Sequence, residues 1–310
     1  MRECLEAPGW STKISLCMEA APLEDLWCGA ARQASVTEVR RAPYDGLVAV
    51  AGVRVRLRVA GAGDPVLLLN GLTRPLESWR PFTQGITGRT LISFDAPGVG
   101  RSPRTLLPMS IPKLARLAAA VLDGLGYEAA DVMGFSHGGA VAQQLAFDAP
   151  TRVRRLVLVS TSCGVGATPP GWRVPPMQRL LALSEPLLWP RPDTLGTVFH
   201  AFAFMTWSSI PFLGAIQVPT LVVCGDKDRV VPPVNSRVLT NRIPGARLVT
   251  LPAGHDVQRP RPARALAHAV SCFLDGEPAL YSNESPRPSI ERSTSRLSSE
   301  LITDGNCKGT

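Results

Sequence analysis

Five short apolar runs constrain this chain more than any other feature. They are "PVLLLNG" from Pro65, "TLISFDAPG" from Thr90, "ADVMGF" from Ala130, "RRLVLVSTS" from Arg154 and "VPTLVVCGD" from Val218. Each is too short for a helix and lacks polar alternation, which is how strands buried on both faces read. Helical spacing fills the gaps between them. Ile111, Leu114, Leu117, Val121, Leu122 and Leu125 share one face, with Ser110 as N-cap and Gly126 as stop. "GGAVAQQLAFDAP" gives a helix ended by Pro150, "ARLVTLPAGH" a further strand, and "RPARALAHAVSCFL" a last helix. Strands that alternate with helices predict an α/β fold, with a mostly parallel central sheet covered by helices on both faces.

The edges of that pattern set the expected organisation. Residues 1–40 show no periodicity and are expected to be a poorly ordered extension. The core spans 41–163 and 212–275. Residues 164–211, rich in proline, tryptophan and leucine, interrupt the alternation and read as a short cap or lid insertion. The tail 276–310 is rich in Ser, Pro and Arg and reads as disordered. Ahead of the first apolar run, Val53, Val55, Leu57 and Val59 alternate with Arg54, Arg56 and Arg58. That is a half-buried strand after a Gly52 turn, its arginines facing water.

Composition excludes several classes. The net charge is +8, yet the arginines are scattered, and the closest grouping, Arg152, Arg154 and Arg155, reads as a solvated strand entry. No basic run with interleaved aromatics argues for nucleic acid. Seven cysteines, widely spaced and without a CxxC pair, argue against a zinc or redox motif. Free thiols in that number fit the reducing cytoplasm. Cys224 and Cys272 sit in apolar runs as core residues. The N-terminus carries Glu3 and Glu6 with no continuous apolar stretch after them, and is not expected to be a secretory signal. Residues 194–225 contain no charged side chain, but prolines and serines break the stretch, so it reads as a helix and a strand rather than a membrane span.

One turn draws attention. Gly134-Phe135-Ser136-His137-Gly138 fits G-x-S-x-G, with a strand before it and a helix after it. Such a turn lifts a serine hydroxyl clear of the sheet and leaves the backbone N–H of His137 at a helix N-terminus. A serine nucleophile needs a base, and the base needs an orienting group. The chain has four histidines. The His137 side chain is expected to pack under the turn, and His268 to sit in the last helix as structure. His200 stays open between a satisfied core histidine and a substrate contact. His255 follows Gly254 just past a strand, where open α/β sheets place their sites. For the acid, Asp226 and Asp228 both follow a buried strand. Asp228 is preferred for its reach, and Asp226 reads as a turn former. A second oxyanion donor is expected at the N–H of Leu72, in a loop held by Asn70. Asp95, in a glycine-rich loop, reads as loop structure. Phe199, Phe202, Phe204, Met205 and Trp207 are candidates for an acyl pocket.

With these residues in place, the chain resembles α/β-hydrolase-fold enzymes, and among them the intracellular poly(3-hydroxyalkanoate) depolymerases. The likeness rests on "LLLNGLTRPLESWRPF", "ISFDAPGVGRS", "GFSHGGAVAQQLAFDAPTRVRRLVLVST" and "WSSIPFLGAIQVPTLVVCGDKDRVVPPVNSRVLTNRIPGARL", and on the Gly254-His255 pair. It covers roughly residues 45–275. The resemblance implies Ser136 as nucleophile, Asp228 as acid and His255 as base in ester hydrolysis through an acyl-enzyme, with no cofactor and no metal. The implied partner is a hydrophobic ester or polyester, met at a granule surface. The chain departs from the family at His137, where tryptophan is usual, and in a shorter insertion between Cys163 and Trp207. A general esterase or thioesterase for small hydrophobic substrates is the alternative. Carbon–carbon bond hydrolysis and a non-catalytic binding role stand behind it.

Overall fold

The computed structural model describes Val39, residues 43–168 and residues 193–277. Most of the expected N-terminal extension, the middle of the insertion and the tail therefore lie outside the described residues, as do Cys4, Cys17, Cys28 and Cys307.

Eight strands form one sheet: β1 (Tyr44–Val50), β2 (Val53–Gly61), β3 (Asp64–Leu69), β4 (Arg89–Phe94), β5 (Ala130–Phe135), β6 (Val153–Val159), β7 (Thr220–Gly225) and β8 (Arg247–Leu251). Their order is β1-β2-β4-β3-β5-β6-β7-β8. β1 and β2 pair antiparallel, β2 pairs antiparallel with β4, and every pairing from β4 to β8 is parallel. β5 and β7 are buried along their whole length, as their unbroken apolar sequences require.

Side chains alternate across the sheet and build two cores. Leu67 and Leu69 join one core with Ile111, Leu122, Val141 and Leu239. These come from α2 (Ile111–Leu125), α3 (His137–Asp148) and α5 (Pro233–Arg242). Val66 and Leu68 face the other core with Trp79, Phe82, Leu266 and Phe273, next to and within α1 (Arg80–Thr83) and α6 (Pro260–Leu274). Each fully buried leucine contributes about 1.5–3 kcal/mol, so the helices on both faces are held by packing. α4 (Thr194–Met205) lies above the sheet in the insertion.

Four details differ from the sequence reading. Tyr44–Val50 is a full edge strand, paired through a turn at Ala51 and Gly52, both with positive φ. Arg56 is buried rather than solvated, because β1 brings Asp45 and the turn after β3 brings Glu77 against its guanidinium. Ser110 stands at the N-cap of α2, but its side chain makes no capping hydrogen bond. Val39, inside the expected extension, is buried in the first core.

Among the described residues no helix is long and apolar enough to cross a membrane. Cys163, Cys224 and Cys272 are free and buried.

From β3 the chain moves to β4 on one side and then to β5 on the other. Such a reversal of direction opens a crevice at the carboxyl ends of the strands, where doubly wound sheets bind ligands.

Candidate active site

Ser136 occupies that crevice. Its backbone sits at φ 51° and ψ −116°, a conformation that costs a non-glycine residue on the order of 1–3 kcal/mol. The surroundings enforce it. The Ser136 N–H donates to the Val159 carbonyl (2.8 Å), and the Thr161 hydroxyl donates to the Ser136 carbonyl (2.7 Å). Three glycines let the helix close on the strand. A Cβ at Gly134 would lie 2.3 Å from the Gly138 carbonyl oxygen, one at Gly138 2.2 Å from the Leu69 carbonyl oxygen, and one at Gly139 2.5 Å from Thr161 Cβ. The glycines around the serine are thus a steric requirement of the turn.

His255 and Asp228 meet the serine from two other loops. His255 Nε2 stands 3.2 Å from Ser136 Oγ, and His255 Nδ1 stands 2.8 Å from Asp228 Oδ2. Both the imidazole and the carboxylate are almost wholly buried. The other carboxylate oxygen, Asp228 Oδ1, accepts from the N–H groups of Val230 (2.9 Å) and Val231 (2.8 Å). The carboxylate is therefore fixed by main chain on one side and holds the imidazole with the other. Asp226 plays a separate part. Its Oδ1 accepts from the Ala253 N–H at 3.0 Å and ties the end of β7 to the loop that carries His255.

The loop after β3 faces the same point. A Cβ built on Gly71 would lie 3.5 Å from Ser136 Cβ, so the backbone next to Leu72 passes beside the serine. Asn70 shapes this loop, donating through Nδ2 to the Pro75 carbonyl (2.8 Å) and Ser78 Oγ (2.7 Å) while its Oδ1 accepts from the Gly71 N–H (3.0 Å).

Sequence reading missed a further tie. Gln258 Nε2 donates to Asn70 Oδ1 at 3.0 Å, and Arg74 Nη1 pairs with Asp256 at 3.1 Å. The Arg74 guanidinium also lies over the Phe135 ring, 5.5 Å from its centroid. The loop expected to bind an oxyanion is thereby locked to the loop bearing His255. Arg74 and Asp256 are 182 positions apart, and only the closing of the sheet brings them together. The local cue was a charged residue in each loop beside the site.

Asp95 supports the loop between β4 and α2. Its two oxygens accept from the N–H groups of Leu76 (2.7 Å) and Arg101 (3.0 Å). Burial nevertheless pushes its carboxyl up to about 6, because desolvation outweighs two amide bonds.

His137 is buried beneath the turn, its ring edge-on to His200 with centroids 5.1 Å apart. Burial and the neighbouring His200 ring drive His137 down to about 3, while a hydrogen bond with the His200 main chain opposes them. Burial lowers His200 as well, while its hydrogen bond to the Pro97 carbonyl opposes this. His268 lies on α6 with Nδ1 3.8 Å from Cys272 Sγ.

Of the acyl-pocket candidates, Phe202 and Met205 are exposed on α4. Phe199 is half-buried. Phe204 is half-buried against the first core. Trp207 is buried in that core, its Nε1 donating to Gln144 Oε1 at 2.7 Å. A small cavity of about 30 Å³ next to the serine turn is lined by Leu69, Leu72, Val99, Leu114, His137 and His200, among others, and by none of these candidates.

Comparison with known proteins agrees with this geometry. The chain matches the family described as alpha/beta hydrolase fold over residues 64–203 and 190–262. It is 35% identical over 246 residues to a poly(3-hydroxyalkanoate) depolymerase of Ectopseudomonas oleovorans, a match covering 69% of this chain and 85% of that one. Among solved structures it is similar to the enol-lactonase from Burkholderia xenovorans LB400, with TM-score 0.66, 25% identity, and coverage of 74% of this chain and 100% of that one. It is also similar to a hydrolase from Pseudomonas aeruginosa PA01, with TM-score 0.64, 28% identity, and coverage of 76% and 99%. The chain belongs to the α/β-hydrolase family and is a hydrolase.

Proposed function

We propose that the protein is a serine-dependent ester hydrolase acting on poly- or oligo(3-hydroxyalkanoate) esters. The observation that carries this reading is the continuous line from Asp228 through His255 to Ser136, with heavy-atom distances of 2.8 and 3.2 Å. His255 takes the proton of Ser136 as the hydroxyl attacks the ester carbonyl. The backbone N–H groups of Leu72 and His137 hold the oxyanion, the second of them at the start of α3, where partial positive charge collects. Asp228 keeps the imidazole in the tautomer that accepts at Nε2 and stabilises its charged form. Collapse of the tetrahedral species expels the alcohol, which takes its proton from His255. Water activated by the same imidazole then releases the acid from Ser136.

The polyester substrate is supported by the 35% identity to the depolymerase. The outer face of α4 supports it too: Leu195, Val198, Phe202 and Met205 are all exposed there, at helical spacing that gathers them on one side. Such a stripe suits contact with an apolar polymer or granule. A second reading, a carboxylesterase or thioesterase for small hydrophobic substrates, is favoured by the likeness to the enol-lactonase, which the chain covers over its whole length.

The direct test is labelling by a fluorophosphonate probe. Wild-type protein is expected to react and Ser136→Ala not to; labelling that survives the substitution removes Ser136 as nucleophile. Comparing turnover of hydroxyl-terminated 3-hydroxyacyl oligomers with p-nitrophenyl esters of equal chain length separates the two readings.

A further inference from the structure

The turn that carries the Leu72 N–H is strained. The Arg74 N–H donates to the Gly71 carbonyl at 3.2 Å, closing a four-residue turn over Leu72 and Thr73. Within it Thr73 stands at φ 61°. That left-handed region disfavours a β-branched residue, and turns usually place glycine or asparagine there. Such a conformation persists only where the surroundings over-determine it.

The last residue of the turn supplies the restraint. Arg74 is buried, and its guanidinium reaches three groups outside the turn. Nη1 pairs with Asp256 Oδ1 at 3.1 Å and donates to Gln258 Oε1 at 3.4 Å. The guanidinium carbon lies 5.5 Å from the centre of the Phe135 ring. These groups adjoin the site on both sides. Asp256 follows His255 and Phe135 precedes Ser136. The Phe135 and His255 rings stand 5.3 Å apart, centroid to centroid. The first residue of the turn rests on the same ring, since a Cβ at Gly71 would lie 2.8 Å from Phe135 Cδ1. Asp256 is itself braced, accepting from the Gln258 N–H at 3.3 Å and from Arg259 Nε at 3.2 Å.

We propose that Arg74 is a positioning residue. Its ion pair with Asp256 beside the Phe135 ring holds the strained Gly71–Arg74 turn in shape, so that the Leu72 N–H and the His255 imidazole address the same reacting carbon. The proposal rests on the ester-hydrolase reading above and adds a residue that touches neither substrate nor the reacting atoms. Asp226 and Asp228 fasten the His255 loop to the end of β7. Arg74 fastens it to the loop after β3, beside the contact of Gln258 with Asn70. An oxyanion forms only in the transition state, so misalignment of its donor costs rate and spares ground-state binding. Glycine takes positive φ freely, so a turn with glycine at position 73 keeps its shape without the pair.

The test is kinetics on p-nitrophenyl butyrate, with urea midpoints measured on the same preparations. Arg74→Met keeps an apolar stem and removes the charge. Its kcat is expected to fall about tenfold, less than the roughly hundredfold or more for an oxyanion donor removed outright, with KM within about twofold. Asp256→Ala should also lower kcat, and the double variant should lose no more than the larger single loss, because both changes break one contact. Arg74→Lys offers Asp256 a charge without the planar fork and should recover part of the rate. Thr73→Gly, added to Arg74→Met, should return kcat to within about threefold of wild type. A lowered urea midpoint with wild-type kcat in folded Arg74→Met would mean that the pair serves stability alone, and overturns the proposal. A raised KM with unchanged kcat overturns it too, as does a rate loss that Thr73→Gly leaves untouched. If Arg74→Met fails to fold, Arg74→Lys and Asp256→Ala carry the same comparison. Absent turnover and absent probe labelling in wild-type protein sink the hydrolase reading instead. Hydrogen exchange of the backbone amide at position 74 still decides the restraint: it should quicken in Arg74→Met and return toward the wild-type rate with Thr73→Gly, and exchange unchanged by Arg74→Met overturns it.

Discussion

Aspartates stand at both ends of the central sheet, all but Asp226 buried, and the two ends hold them differently. At the carboxyl ends of the strands, Asp95, Asp226 and Asp228 accept hydrogen bonds from backbone N–H groups of their own or neighbouring loops. At the opposite end, Asp131, the second residue of β5, faces the side chains of Arg89, Arg154 and Arg155 at 3.4–3.7 Å. Burial raises its carboxyl, against the pull of the three guanidiniums. Main-chain donors cannot swing away, so a carboxylate held by them keeps its direction as well as its charge. Arginine side chains, here up to a third exposed, supply charge but little direction. A site that must aim an imidazole uses the first arrangement, and an end that must only neutralise a buried charge uses the second.

The largest test of this contrast is the loss of charge at each end. Asp228→Asn leaves the shape in place but gives His255 Nδ1 a partner of the wrong polarity. By analogy with other triads, kcat on p-nitrophenyl esters is expected to fall by about ten thousandfold, with the urea midpoint little moved. Asp131→Asn should do the opposite. Each guanidinium loses one counter-charge, but Arg89 and Arg154 keep Asp64 and Arg89 also keeps Asp275, so unfolding in urea should show a loss of about 1 kcal/mol, well below the roughly 3–5 kcal/mol for breaking a fully buried pair. Its kcat/KM should stay within about twofold of wild type. A rate loss at Asp131 that matches the loss at Asp228 would erase the distinction between the two ends.

The sequence revealed these regions unequally, for physical reasons. The parallel strands were legible because burial on both faces leaves unbroken apolar runs such as "LVLV" and "LVVC". The serine turn was legible because each of its glycines answers a clash that a side chain would make. β1 was missed because an edge strand alternates exposure, and "YDGLVAV" includes Asp and Gly, which are poor strand formers. α5 went unread because it has only two valines and one leucine among polar residues. Arg154 and Arg155 were read as solvated, although Asp131, whose charge they answer, lies inside a strand and gave no local sign. The Arg74–Asp256 and Gln258–Asn70 ties were invisible for the same reason: long-range polar pairs leave no periodic trace in a chain.

The smallest test lies between the two aspartates that share a loop. Asp226 and Asp228 follow the same strand two residues apart, and in the sequence only the longer reach of Asp228 into the loop favours it. The structure separates them by what they touch. Asp228 contacts the ring of His255, whereas Asp226 reaches only the Ala253 N–H, two residues before it. Asp226 is thus a positioning residue that acts through the loop. Asparagine keeps its accepting oxygen, so Asp226→Asn should leave kcat/KM within about twofold. Alanine removes the acceptor, and losing one such hydrogen bond is worth about 1 kcal/mol; the loosened loop should lower kcat about fivefold and leave KM nearly unchanged. Rescue by asparagine but not alanine is the signature of positioning through a single accepted bond. If asparagine proved as damaging as alanine, the charge of Asp226 would be the operative feature, and the main-chain tie at 3.0 Å would not explain why this aspartate stands beside the site.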